Sequence, residues 1–143
     1  MKKLILSLIL LLFWNYGISQ QLNSENIFRY VSIPPYGKIE LGNNISQFKS
    51  YVELKDGHYF LKEKYFGGAK SIELLKNQKG KIVAMIFEYD KNVKLESQIS
   101  DYSYLGKPFF VEKIATWNDG KTRFELFEEN ETVFSRISNV LNE

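Results

Sequence analysis

The chain has no cysteine. Neither a disulfide framework nor a lipid-bearing cysteine is available, so the folded part must hold itself together by burial alone. Histidine is almost as scarce: His58 stands alone, too little for a His-rich zinc site. No stripe of Lys and Arg is present; charges alternate in sign, as in Lys62, Glu63, Lys64, which excludes a surface built to neutralise a phosphate backbone. The longest apolar run, Leu4 to Trp14, falls short of the about 20 residues that span a bilayer.

That run is nevertheless informative. Lys2 and Lys3 precede it and the small residues Gly17 and Ser19 follow it, the pattern of a secretory signal peptide cleaved after Ser19. Residues 1–19 are expected to be removed, leaving 20–143 as a single α+β domain. The alternative is an uncleaved anchor; Asn15 and Gly17 interrupt the run and no stop-transfer pattern follows. Export, to the periplasm or the outside, is the expected localisation, with no stable membrane span after cleavage. Lys2 and Lys3 also account for the whole excess of 19 basic over 17 acidic residues, so 20–143 is formally neutral.

Along 20–143, alternation over Ile27–Ile33 predicts a strand ended by Pro34-Pro35, with a second short strand from Lys38 to Leu41. Asn43 or Asn44 caps a first expected helix whose face is Ile45, Phe48 and Val52, stopping near Asp56-Gly57. Three strands follow, His58–Phe66, Lys70–Lys76 and Lys81–Tyr89; the last is apolar on both faces and so central. A second helix, capped by Asp90 or Asn92, carries Leu95, Ile99, Tyr102 and Leu105 and ends at Gly106 before Pro108. Phe109–Trp117 and Lys121–Glu128 flank Asn118-Asp119-Gly120, a hairpin signal, and a last strand runs from Thr132 to Val140.

The expected fold is therefore a meandering antiparallel sheet with two helices on one face. Its order of elements reads as a tandem helix-plus-three-strand repeat over 44–89 and 92–140. Aligning the two pairs Tyr59-Phe60 with Phe109-Phe110, Gly68 with Gly120, and Ile72-Glu73-Leu74 with Phe124-Glu125-Leu126. Any two amphipathic strands joined by a glycine turn resemble each other in this way, so the alternative is chance.

With the Leu105-Gly106-Lys107-Pro108 helix end, the aromatic strand through Trp117 and the Asn118-Asp119-Gly120 hairpin, the chain resembles the beta-lactamase-inhibitor-protein-like fold, shared with small outer-membrane-assembly lipoproteins. The resemblance covers architecture only. It implies a secreted binding module that uses an open sheet face or loops, without the lipidated cysteine of the one group or the disulfides of the other.

Chemical motifs are sparse. His58 beside Asp56 has the elements of an oriented general base but sits at a strand start, the commoner place for a solvated polar residue. Gly120-Lys121-Thr122 lacks the glycine that a phosphate loop needs at the position of Ala115, and Asp90-Lys91-Asn92 lacks the remaining ligands of a calcium loop. Glu63, Glu73, Glu112 and Glu125 are the carboxylates that a hydrolase would have to bring together across strands.

No cofactor, metal or catalytic residue is called for. The expected function is a non-enzymatic module of a bacterial envelope that binds a protein or other ligand; the alternative is a small hydrolase of envelope polymers. The aromatic set Tyr102, Tyr104, Phe109, Phe110 and Trp117 is the candidate binding surface. Strand alternation sets Phe109, Lys113 and Trp117 on one face, and the lysine marks that face as the free one.

Overall fold

The computed structural model describes residues 26–33, 37–62 and 68–140. The expected signal peptide, the Pro34-Pro35 break and Glu63 lie outside them. A two-stranded hairpin, β1 (Tyr30–Ile33) and β2 (Gly37–Glu40), precedes an eight-stranded antiparallel sheet. The sheet comprises β3 (Val52–Lys55), β4 (His58–Leu61), β5 (Ala69–Lys76), β6 (Ile82–Tyr89), β7 (Phe109–Val111), β8 (Ile114–Asn118), β9 (Thr122–Glu129) and β10 (Thr132–Asn139). Their spatial order is β3-β4-β5-β6-β10-β9-β8-β7.

Two helices on one face do not form. Of the described residues 54% are strand and 13% helical, and the one α-helix, α1, spans only Leu95–Asp101. The first expected helix is a single 3-10 turn, Ile45–Phe48, capped by Asn44 Oδ1 accepting from the Ser46 N–H at 3.0 Å. Ile45 and Phe48 keep the expected inward face, but Val52 has left the helix for β3. The reason lies in Asp56-Gly57, which take φ of 50° and 84°, the left-handed pair of a tight hairpin. That hairpin sets Val52 against Leu61 and commits the segment to a sheet. The second expected helix is α1 followed by a 3-10 turn, Ser103–Leu105, and it starts beyond the expected Asp90 and Asn92 caps. Gly106 ends it at φ 88° as expected.

The meanders are also longer than expected. Each half of the sheet is a short helical segment followed by four strands, not three: the first gains β3 from the expected helix, and in the second Phe109–Trp117 is no single strand, since Val111 pairs with Ile114 across a two-residue turn, Glu112-Lys113. The two meanders meet at β6 and β10, which pair antiparallel. β5 and β9 consequently occupy equivalent places, and the matched triplets Ile72-Glu73-Leu74 and Phe124-Glu125-Leu126 both turn their outer two residues to the core. Tyr59-Phe60 and Phe109-Phe110, in contrast, fall on non-equivalent strands.

One face of the sheet is the core. Ile72, Leu74, Met85, Phe87, Val133, Ile137, Phe124, Leu126, Ala115 and Trp117 project from successive strands into a single buried cluster. The described elements outside the sheet pack there through Val31, Ile33 and Ile39 of the β1–β2 hairpin, Ile45, Leu105, and the half-buried Leu95, Ile99 and Tyr102. Ile27 and Arg29 fasten the start of the described chain to the β8–β9 turn. The Ile27 N–H donates to Asp119 Oδ2 at 2.9 Å, and the Arg29 guanidinium donates to Thr122 Oγ1 and Asn139 Oδ1. Asp119 Oδ1 meanwhile accepts from the N–H groups of Lys121 and Thr122, as the Asn-Asp-Gly signal requires.

Candidate functional site: the open face of the sheet

Because side chains alternate along a strand, the residues between the core positions form the opposite face. Strand register arranges them in rows. One row runs Ser71, Glu88, Phe134, Phe127 and, one step past the last paired residues of β8 and β9, Ile114 and Val111; the next runs Glu53, Phe60, Glu73, Ile86, Arg136, Glu125, Thr116, Phe109. None of these apolar side chains belongs to the core cluster, and every described element outside the sheet packs on the other side. Phe60, Ile86, Phe109, Ile114, Phe127 and Phe134 are half-buried.

At the centre lies an aromatic and charged group. Phe127 and Phe134 stack across β9 and β10, centroids 5.6 Å apart and planes 18° from parallel. The Arg136 guanidinium carbon stands 5.8 Å from the Phe127 centroid, and its Nε donates to Glu125 Oε2 at 2.6 Å. Only 8% of the Glu125 side chain is exposed, against 37% of Arg136, so the carboxylate is enclosed while the guanidinium keeps one side to solvent. Glu73, at the equivalent place in the other meander, contacts His58 Nδ1 instead. Glu88 accepts from Lys70 Nζ and Ser71 Oγ, both at 2.9 Å. The lysine bond holds the Glu88 carboxyl below the usual carboxylate range and raises Lys70 in return.

These contacts separate the carboxylates that a hydrolase would need together. Glu73 and Glu125 share a row but stand three strand spacings apart, roughly 14 Å, beyond the roughly 5–9.5 Å of glycoside hydrolysis. Glu112 sits in the β7–β8 turn at φ 56°, and Glu63 is outside the described residues. His58 is oriented by Glu73 rather than by Asp56. Among the described residues no group of His, Asp and Glu is placed to hold a metal ion, and no helix is long and apolar enough to cross a membrane.

The five expected binding residues are divided between the faces. Phe109 lies on the open face, paired with Thr116. Trp117, expected on the free face, is fully buried in the core: its Nε1–H donates to the Gly106 carbonyl at 2.8 Å and its ring packs against Phe124 and Tyr102. The Tyr102 ring packs tilted against Phe124, centroids 4.5 Å apart, and burial pushes its hydroxyl pKa up. Phe110 and Tyr104 are exposed, at 58% and 71%. Phe127, Phe134, Ile86 and Arg136 were not singled out from the sequence, although Phe134 and Arg136 alternate with buried Val133, Ser135 and Ile137 and so carry the signal of a second, partly apolar face.

No protein-family model, curated protein or solved structure matches the chain.

Proposed function

We propose that the protein is an exported, non-enzymatic module of a bacterial envelope that binds a partner on the open face of its sheet, around Phe127, Phe134, Ile86 and Arg136. One observation carries this reading: aromatic and aliphatic side chains gather on a face that no described element covers. A monomer that needed only a core would gain from polar residues there, whereas aromatic residues and Arg are the side chains that dominate interface energetics. Export enters from the Lys2-Lys3, apolar run and Ser19 pattern. The likeness to beta-lactamase-inhibitor-like modules belongs to the same reading, as an analogy of architecture that suggests binding through an open sheet.

The test pairs stability with binding. Phe127→Ala combined with Phe134→Ala removes two half-buried rings from outside the core, so denaturant melts should show a loss of only about 1–3 kcal/mol. Recovery of whatever co-purifies from the native envelope should fall at least about tenfold, the loss of one interface anchor. Unchanged recovery by a folded double variant would remove the open face from the account.

A further inference from the structure

An antiparallel sheet that does not close leaves two edge strands with unpaired main-chain groups, among the described residues β3 and β7. β3 is guarded by charge, with Glu53 and Lys55 paired along it. β7 has no charged residue. It reads Phe109-Phe110-Val111, with Phe110 and Val111 exposed at 58% and 54% and Tyr104 exposed nearby in sequence.

The β7–β8 turn determines which main-chain groups face outward. Two residues separate the paired Val111 and Ile114, and in a two-residue hairpin the flanking pair is the hydrogen-bonded one. Val111 and Phe109 thus direct their N–H and C=O to β8. Those of Phe110 point away from the sheet. One repeat further along the edge, the Pro108 carbonyl and the Glu112 N–H point the same way.

This pattern is self-complementary. When a second β7 lies antiparallel about a two-fold axis through Phe110, each Phe110 N–H meets the other Phe110 carbonyl and each Glu112 N–H meets a Pro108 carbonyl. Proline has no N–H, so that outer pair makes one of its two possible bonds and the Glu112 carbonyl stays in water. Phe109 then faces Val111 of the second copy, an aromatic and β-branched pair, and the two Phe110 rings face each other. Lys107 and Lys113 approach at the ends, where both are exposed, a repulsion limited to under about 1 kcal/mol.

We propose that β7 is a dimerisation edge at which two copies of this chain join their sheets. The axis is perpendicular to the sheet, so the two open faces lie side by side and the row Phe134, Phe127, Ile114, Val111 continues into Phe109 of the second copy. So short an edge buries less than the ~1,200 Å² of a standard interface, so the association is weak and concentration-dependent. It stands independently of the ligand reading above, which rests on Phe127, Phe134 and Arg136.

Sedimentation velocity on purified protein from about 10 µM to about 1 mM tests it. Wild type should shift from monomer to dimer across that range. Phe110→Glu and Phe110→Lys, each at an exposed site, should remain monomeric because like charges meet on the axis, and a one-to-one mixture of the two should dimerise again. A wild type that stays monomeric, a Phe110→Glu variant that dimerises like wild type, or a mixture that stays monomeric would each overturn the proposal.

Discussion

Trp117→Ala should destabilise the fold by about 3–5 kcal/mol, the cost of deleting a large aromatic side chain from a closed core. The indole is fully buried between Phe124 and Tyr102. It also ties the sheet to the end of the helical segment, because its Nε1–H satisfies the Gly106 carbonyl at 2.8 Å. Removing it leaves both a cavity and an unpaired carbonyl at the residue whose positive φ ends that segment. Trp117→Phe keeps most of the volume and loses the donor, so it should cost a smaller share. A urea melt of Trp117→Ala within about 1 kcal/mol of wild type would place the indole outside the core and undo the assignment of faces.

The second large effect concerns Arg136. Replacing it with methionine keeps much of the side-chain volume over Phe127 but leaves the enclosed Glu125 carboxylate without its donor. Breaking a buried pair from one side costs about 3–5 kcal/mol, and the partial exposure of Arg136 brings the expected loss below that range, to about 2–3 kcal/mol. Combining Arg136→Met with Glu125→Leu removes both charges and should bring stability back to within about 1 kcal/mol of wild type. The comparison is a double-mutant cycle read by denaturant melts. Additive losses in the double variant would mean that the two side chains contribute separately and that no coupled pair stands on the open face.

The placement of Trp117 shows what was legible in the sequence and what was not. Of the strands of the sheet, β4, β5, β6, β9 and β10 were readable from the sequence, β6 as a central strand from apolar residues on both sides; it pairs with both β5 and β10. The Asn118-Asp119-Gly120 turn was readable because Asx side chains can satisfy nearby N–H groups, as Asn118 and Asp119 do. The turn at Glu112-Lys113 carries no such signal: Glu112 takes a positive φ that glycine or asparagine would adopt more easily. Continuing the alternation through it placed Phe109 and Trp117 on one face. The reversal puts Phe109 opposite Thr116 and Trp117 opposite Phe124, on different faces. Lys113, which had marked the free face, belongs to the turn and reports on neither.

The lost helix has a similar cause. Ile45, Phe48 and Val52 have helical spacing, yet one 3-10 turn suffices for the first two, and Asp56-Gly57 then offers Val52 a hairpin partner in Leu61. Local spacing was decided by a contact that spacing alone does not contain. Of the candidate surface, the sequence reading included Phe109 and missed the centre, because Phe127 and Phe134 look like core residues until the register shows that they share a face with Glu125 and Arg136 rather than with Phe124 and Ile137.

On the function proposed here the open face, and not the helical side, meets the partner. A photoreactive phenylalanine analogue at position 127, compared with the same group at exposed positions 47 and 96 on the 3-10 turn and α1, tests it in the native envelope. Covalent adducts are expected from position 127 and none from 47 or 96. Adducts from 47 or 96 with none from 127 would contradict the proposed function.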